Sequence, residues 1–330
     1  MPIVAGSTLP AIEEVAREGV PTVAPGETTG RVVRVGLLNL MPDAALRATD
    51  RQWLRVLAHP DVEVEVRPFT VAAEARGDEA RTHIAAHYST FEEVRRDGLD
   101  ALVVTGANPA RPLLAEEPFW PGLVEVLEWA ERETRSVLCS CLATHAVMEH
   151  RFGTRRERLP RKMWGWFSHR PTAADPLVEG VEPGLVVPHS RWYDIPAERF
   201  TGAGAKVLVY SDEAGTLLAT AADGFYVFLQ GHIEYDVVSI AKEYQREIDR
   251  YLAGEEDALP PYPVAYFPED AIPALEEHRR LVRAARERGA APPDTRADEF
   301  VDGLQPVWAG AARTLVGNWL AGITAPSRAG

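Results

Sequence analysis

Short apolar segments alternate with longer amphipathic segments through the first half of the chain. The apolar segments have the length and composition of buried strands, and they lie at Arg31–Leu40, Val62–Phe69, Leu99–Thr105 and Ser136–Cys139. The segments between them predict helices at Thr49–Ala58, Phe91–Asp97, Phe119–Arg132 and about Leu142–Arg151. Strands and helices that alternate in this way indicate a mostly parallel α/β sheet with helices on both faces.

The second half of the chain contains further predicted strands, with fewer helices between them. The strands are predicted at Gly184–Arg191, Lys206–Ser211, Thr216–Ala221 and Gly224–Gln230. The helices are predicted at Ser239–Leu252, Ala274–Gly289 and Gln305–Leu320. The basic stretch Arg155–Lys162 carries no predicted element, and Val71–Ser89 is predicted to be irregular.

These patterns predict one α/β domain with an extension at each end. Residues 1–30 are rich in Pro, Gly and Thr and predict an irregular N-terminal arm with one short helical pattern at Leu9–Arg17. Residues 31–255 form the predicted catalytic domain. Residues 256–330 are the predicted C-terminal extension. Its terminal amphipathic helix is expected to pack on the domain or on a second subunit.

Composition excludes several classes of protein. The net charge of −14 argues against a partner bound through nucleic-acid phosphates. No apolar run reaches the roughly 20 residues that span a bilayer, and no signal peptide is recognisable, so we expect a cytoplasmic protein without membrane association. Cys139 and Cys141 are the only cysteines, which is not the pattern of a disulfide scaffold.

Cys141 lies at a predicted strand-to-helix corner. The free N–H groups and the positive end of the helix dipole at such a corner favour a thiolate and can stabilise an oxyanion. A free cysteine is also a common core residue, and Cys139, inside the apolar strand, is predicted to have that role. The Cys139–Cys141 spacing lacks the second ligand pair of a zinc site, so no metal site is predicted.

His232 and Glu234 form the best candidate for the base that a nucleophilic cysteine needs. His232 follows an apolar strand and a glycine, which places it at the same edge of the sheet as Cys141. In an extended segment, residues two apart point to the same side, so Glu234 can fix the imidazole tautomer. The alternative is a histidine that caps a strand without a catalytic task.

Two arginines are candidates for binding a substrate carboxylate. Arg191 follows a buried strand in the segment PHSR, and a guanidinium there can form a bidentate pair with a carboxylate. Arg246 lies on the helix after His232. The alternatives are a surface salt bridge for Arg191 and a solvated helix face for Arg246.

The chain resembles the homoserine O-succinyltransferase/O-acetyltransferase family of the methionine pathway, of which it looks like a divergent member. The resemblance covers about residues 31–322, with every motif in the family's order. The most specific segments are VVPHSRW (186–192) and GHIEYD (231–236) around the Cys141 corner; the others include VGLLNLMPD (35–43), VVTGA (103–107), EYQRE (243–247) and YFPED (266–270).

The resemblance implies a class I glutamine-amidotransferase-like, flavodoxin-like fold and a ping-pong acyl transfer. Cys141 takes an acyl group from acyl-CoA, the co-substrate, while His232, oriented by Glu234, acts as the base. The backbone N–H of Leu142 matches the family's oxyanion donor. Ser190, Arg191 and Arg246 match substrate-binding positions, with the two arginines holding the amino-acid carboxylate. The resemblance implies a homodimer, and it implies no bound cofactor or metal.

Departures from the family's pattern concern the substrates. The usual lysine after NLMP is missing, and Arg47 is the candidate replacement for that cation. Ala110 stands about where acetyl-preferring members carry glutamate, and Arg111 follows it. A small residue leaves room for a longer acyl group, and Arg111 can pair with a succinyl carboxylate, so we expect succinyl-CoA as donor.

The elbow itself also departs from the family, because Leu142 and His145 replace a tryptophan and a glutamine. Homoserine O-succinyl transfer is therefore the first hypothesis, and O-acetyl transfer or serine as acceptor is the alternative. A glutamine amidotransferase-like hydrolase or a non-catalytic binding protein are the remaining hypotheses.

Overall fold

A computed structural model describes residues 2–111, 113–289 and 291–325. The strands are β1 (Ile3–Val4), β2 (Thr22–Val23), β3 (Val32–Leu38), β4 (Glu63–Phe69), β5 (Ala101–Val104), β6 (Val137–Ser140), β7 (Glu157–Pro171), β8 (Leu185–Asp194), β9 (Lys206–Ser211), β10 (Gly215–Ala221) and β11 (Tyr226–Leu229). The α-helices are α1 (Pro10–Arg17), α2 (Asp43–Leu57), α3 (Asp78–His87), α4 (Phe91–Asp97), α5 (Trp120–Glu133), α6 (Leu142–Phe152), α7 (Ala197–Gly202), α8 (Ser239–Leu252), α9 (Ile272–Arg288) and α10 (Ala309–Thr324).

The described strands form one mixed sheet in the order β2-β1-β4-β3-β5-β6-β11-β10-β9-β7-β8. The strands from β2 to β11 in this order are parallel, and β10, β9, β7 and β8 continue the sheet as antiparallel strands. The central order β4-β3-β5-β6-β11 is the 2-1-3-4-5 order of flavodoxin-like folds. The prediction of a mostly parallel, flavodoxin-like α/β sheet is confirmed.

Helices cover both faces of the sheet, as predicted. One face packs against α1, α2, α8 and α10, around buried residues such as Trp53, Leu57 and Trp319. The other face packs against α4, α5 and α6, around Val126, Val147 and their neighbours. Because both faces of the sheet are buried, the sequences of the parallel strands consist almost entirely of apolar residues.

The parallel register brings the carboxyl ends of the central strands together. Leu38 of β3 pairs with Val104 of β5, which pairs with Cys139 of β6. Ser140 of β6 pairs with Leu229 of β11. The segments that follow these strands therefore meet at one edge of the sheet, where ligands bind in open α/β folds.

Three predictions about local structure are wrong. Residues 1–30 are not an irregular arm, because β1 and β2 extend the sheet at its edge, and Ile3 pairs with Val64. The short helix predicted in this segment is confirmed as α1. Val71–Ser89 contains α3. The basic stretch after α6 opens the 15-residue strand β7, which forms a long antiparallel pair with β8.

The C-terminal extension packs on the domain through α10. The Trp319 indole N–H donates to Ser136 Oγ at 2.9 Å, and Asn318 donates to the carbonyls of Leu177 and Glu179. Across the described ranges, every helix falls short of the length and apolar character needed to cross a membrane.

Candidate active site

Cys141 lies on a strained turn between β6 and α6. Its backbone has φ 49° and ψ −109°, and its N–H donates to the carbonyl of Leu229 at 2.7 Å. A non-glycine residue holds such a conformation only where its surroundings impose it, as at nucleophile elbows. A Cβ on Gly106, at the end of β5, would lie 3.6 Å from Cys141 Cβ. The thiol therefore projects, partly exposed, at the carboxyl edge of the sheet.

The start of α6 supplies backbone donors beside this thiol. Leu142 and Ala143 are the first two residues of the helix, and Thr144 N–H donates to Cys141 O. The first N–H groups of a helix have no intrahelical acceptor and carry the positive end of its dipole. The Leu142 N–H is one of these groups, and its role as an oxyanion donor stays a prediction. Cys139, in contrast, is fully buried in the strand, and burial raises the pKa of its thiol.

His232 and Glu234 follow β11 at the same edge. His232 Nδ1 and Glu234 Oε1 are 2.8 Å apart, and both side chains are buried. The carboxylate therefore accepts a hydrogen bond from Nδ1–H, and Nε2 is the ring nitrogen that can exchange a proton with a substrate. Nε2 is buried and has no hydrogen-bond partner of standard geometry among the described residues.

The charges around His232 set its protonation. Burial alone would lower the pKa of the imidazole, but Glu234 and then Cys141 outweigh it and raise the pKa to about 10. Because Cys141 contributes to the pKa of His232, its sulfur lies close enough to the imidazole for the two groups to interact. A thiolate beside an imidazolium is the reactive form of a Cys/His pair.

A second polar group adjoins His232 and includes residues that the sequence reasoning missed. The Tyr235 ring stacks on the imidazole with 4.0 Å between centroids, and Tyr235 OH donates to Glu243 Oε1 at 2.9 Å. Glu243 also pairs with Lys162 at 3.1 Å and accepts from the Ser190 hydroxyl. Burial raises the pKa of the Glu243 carboxyl, but Lys162 and Ser190 lower it more. Tyr235 directly follows Glu234, and Glu243 is the first residue of the quoted segment EYQRE, so the sequence carried a signal for both of them but none for Lys162.

Arg191 is buried in a network of its own. Its guanidinium donates to His189 Nδ1, to Asp194 Oδ1 at 3.0 Å and to the Ala214 carbonyl. His189 Nε2 is 3.0 Å from His169 Nε2, and burial lowers the pKa of both imidazoles. These contacts occupy the fork that the sequence analysis assigned to a substrate carboxylate. That assignment stays a prediction.

The remaining predicted site residues lie on exposed surfaces. Arg246 is on α8, one turn after Glu243, with its side chain 57% exposed and Glu247 3.5 Å away. The Arg47 side chain is 62% exposed and pairs with Glu79 of α3 at 3.4 Å. Ala110 and Arg111 lie in the exposed loop after β5. The roles assigned to these four residues stay predictions.

His145, the unusual residue of the elbow helix, is a buried neutral imidazole. Its Nε2 lies 3.0 Å from Gln230 Oε1, and burial lowers its pKa to about 3. Because an amide oxygen only accepts, Nε2 carries the proton. Gln230 Oε1 also accepts from the Ile195 N–H at 2.9 Å. His145 thus ties α6 to the segment after β8.

A cleft of about 470 Å³ opens beside the elbow. Its lining includes Met41 and Phe119, and a Cβ on Gly106 would lie 3.5 Å from Met41 Sδ and 3.6 Å from Cys141 Cβ. Gly106 thus lies between Met41, in the wall of the cleft, and Cys141. Within the described ranges, no three His, Cys, Asp or Glu side chains are grouped so as to hold a metal ion.

Comparison with known proteins shows the family. A sequence profile described as homoserine O-succinyltransferase matches residues 2–325. A homoserine O-succinyltransferase of Allochromatium vinosum is 46% identical over 97% of this chain and 92% of its own length. The chain belongs to the homoserine O-succinyltransferase family. A second homoserine O-succinyltransferase, from Thioalkalivibrio nitratireducens, is 44% identical over 98% of this chain and 93% of its own length. A glutamine amidotransferase structure from Methylobacillus flagellatus aligns with a TM-score of 0.46 and 14% identity, covering 91% of this chain and 98% of its own.

Membership of the homoserine O-succinyltransferase family makes this chain an acyltransferase of the methionine pathway and implies an acyl-CoA co-substrate. The match begins at residue 2, so the family's pattern includes the β1–α1–β2 extension that the resemblance noted in the sequence did not cover.

Proposed function

We propose that this protein transfers a succinyl group from succinyl-CoA to the hydroxyl of L-homoserine through a thioester on Cys141. The observation that carries the proposal is the Cys141 elbow at the start of α6, with His232 held by Glu234 at the same edge of the sheet. The names of the family's members support the choice of donor and acceptor.

In the first half-reaction, the Cys141 thiolate attacks the thioester carbonyl of the donor. The carbonyl oxygen becomes an oxyanion, which the Leu142 N–H stabilises. As the intermediate collapses, the bond to the CoA sulfur breaks, and the imidazolium of His232 gives its Nε2 proton to that sulfur. CoA leaves as a thiol, and the succinyl group remains on Cys141.

In the second half-reaction, neutral His232 acts as a general base. Its Nε2 takes the proton of the acceptor hydroxyl as the oxygen attacks the Cys141 thioester. Collapse of the second intermediate releases the ester and restores the thiolate–imidazolium pair. Glu234 accepts the hydrogen bond from Nδ1–H throughout, so that the imidazole keeps one orientation.

The surroundings of the elbow support separate places for the two substrates. We propose the cleft lined by Met41 and Phe119 as the place of the donor's pantetheine arm, because its lining is largely apolar and Met41 lies near Cys141 across Gly106. The group of Ser190, Lys162 and Glu243 is linked through Tyr235 to His232, where the acceptor hydroxyl must be deprotonated. Arg246, one turn along α8 from Glu243, is the proposed partner of the acceptor carboxylate.

A thiol-release assay tests the proposal. Purified protein is given succinyl-CoA or acetyl-CoA together with L-homoserine or L-serine, and free CoA is measured. We expect release to be fastest with succinyl-CoA and homoserine. Hydrolysis of glutamine without CoA release from any pair would contradict the proposal and favour a hydrolase.

The proposal includes a cytoplasmic homodimer, which rests on the resemblance to the family. Light scattering after size-exclusion chromatography measures the mass directly. The expected mass is twice that of the 36.3 kDa chain, and a single monomer peak at micromolar concentration would contradict the dimer.

A further inference from the structure

Arg156 is a cation near the nucleophile that has no anionic partner. It lies on the segment between α6 and β7 and is half-buried. In the part of the chain that the structure describes, its guanidinium forms no ion pair within 4.0 Å and no hydrogen bond. Its neighbour Arg155 is 73% exposed and pairs with Glu149, so the two adjacent arginines have different surroundings.

The orientation of Arg156 is fixed by an aromatic ring. Its Cζ lies 3.8 Å from the centroid of the Tyr193 ring, on the strand β8. Stacking of this kind uses the face of the planar guanidinium, while its five N–H donors lie in the plane and point outward from the edge. Those donors are therefore held in place and unused, which is the geometry that a bidentate carboxylate requires.

Arg156 lies on the Cys141 and His145 side of the site. Tyr193, on which its guanidinium stacks, is two residues before Ile195. The Ile195 N–H donates to Gln230 Oε1, and the same oxygen is 3.0 Å from His145 Nε2, in the first turn of α6. These contacts place the end of β8, and with it the Arg156 guanidinium, beside the helix that begins after Cys141. Burial lowers the pKa of Arg156, and the charge of Arg156 helps to lower the pKa of His145.

A half-buried cation without an ion pair is costly, because water is partly removed and no carboxylate among the described residues lies within 4.0 Å to replace it. Such a group is best explained by an anion that binds there during the reaction. The phosphates of CoA are too far from the thioester for a group beside Cys141 to hold them, since the whole pantetheine arm lies between. The acyl group, in contrast, stays attached at Cys141 in both half-reactions.

We propose that Arg156 binds the free carboxylate of a dicarboxylic acyl group carried on Cys141 and thereby selects succinyl over uncharged acyl donors. This inference rests on the proposed function, because it assumes an acyl group on Cys141. Tyr193 holds the guanidinium, and Arg111, in the exposed loop after β5, is the competing candidate for the same carboxylate.

The test is the rate at which Cys141 is acylated without acceptor, followed by intact-protein mass spectrometry. Wild type, Arg156→Gln and Arg156→Lys are compared with succinyl-CoA and with acetyl-CoA. Arg155→Gln is the matched control, and Arg111→Gln tests the competing residue. Loss of one charge-assisted bidentate pair predicts roughly 10- to 100-fold slower succinylation of Arg156→Gln, with acetylation within about twofold of wild type.

Arg156→Lys keeps the charge without the fork and is expected to fall between wild type and Arg156→Gln with succinyl-CoA. Arg155→Gln should react like wild type with both donors. Equal slowing of both donors in Arg156→Gln, or a donor-selective loss in Arg111→Gln alone, would overturn the inference. So would a rise confined to the KM for homoserine in Arg156→Gln. A wild-type protein that forms no adduct with either donor would instead overturn the proposed function, and this inference with it.

Discussion

At the scale of single residues, the two cysteines offer a matched pair. Cys141→Ala removes the nucleophile, so transfer should fall by roughly 10³-fold or more. Cys139→Ala removes a small buried group from β6 and should cost about 1–2 kcal/mol of stability while most activity remains. Steady-state CoA release and urea denaturation measure both effects. An active Cys141→Ala protein, or an inactive but folded Cys139→Ala protein, would contradict the assignment.

The His232–Glu234 pair predicts a pH dependence of stability. The unfolded chain releases the His232 proton near pH 6.5, whereas the native protein holds it up to about pH 10. The native state therefore binds more protons in this interval, and the free energy of unfolding must fall as pH rises. The stabilisation is complete below about pH 6.5 and is lost by about pH 10, with a slope of at most about 1.4 kcal/mol per pH unit.

Glu234→Gln is the control for this prediction, because it removes the largest charge that raises the pKa of His232. Urea denaturation across the interval should give a flatter profile for the variant than for wild type. The same variant should lose roughly 10²- to 10⁴-fold in kcat, because the imidazole loses its fixed tautomer. Parallel stability profiles would show that Glu234 does not hold the proton on His232.

Part of the site was predictable from the sequence because it depends on local order. Cys141 precedes a helix and His232 follows a strand, and parallel strands bring such ends together. The burial of Arg191 was not predictable, because it depends on His189 and on the Ala214 carbonyl from β8 and the β9–β10 turn. That Arg156 stacks on Tyr193 and has no ion pair within the described ranges likewise appears only in the folded structure.

At the scale of elements, buried strands were predicted best. β3, β5, β6 and β11 are covered on both faces, so burial makes them apolar runs that few other structures produce. β7 was missed because its first half is charged and exposed, and its pairing with β8 provides the regular structure. β1 and β2 have two residues each, too few for a pattern, and are fixed by pairing at the edge of the sheet.

The packing of α10 gives a prediction for one element. A Cβ on Gly317 would lie 2.3 Å from His59 Nε2, on the segment after α2, whereas a Cβ on Gly322 of the same helix has nothing within 4 Å. Gly317→Ala should therefore destabilise the protein by about 1–3 kcal/mol through overpacking. Gly322→Ala should be neutral or stabilising by up to about 1 kcal/mol, since alanine favours helix. Similar midpoints of urea denaturation for the two variants would mean that α10 is not packed on this face.

At the scale of the whole molecule, the protein has an acidic net charge and a single sheet, and the proposed reaction takes place at one edge of that sheet. The net charge is −14, and the cations proposed to lie near the substrates are Lys162, Arg156 and Arg246. Anionic substrates therefore find local cations within an acidic protein. We expect kcat/KM for succinyl-CoA to fall as ionic strength rises, because added salt screens this attraction. Stopped-flow or steady-state rates in sodium chloride measure it, and a rate independent of salt would argue against these cations as the binding surface.

The central claim is that the acyl group passes through Cys141. The most direct measurement is peptide mapping of protein that has been mixed with succinyl-CoA alone and quenched in acid. We predict one succinyl group, on the peptide that contains Cys139 and Cys141, located at Cys141 by fragmentation and discharged when homoserine is added before the quench. A succinyl group at Cys139, or CoA release only when both substrates are present and no adduct forms, would contradict the account.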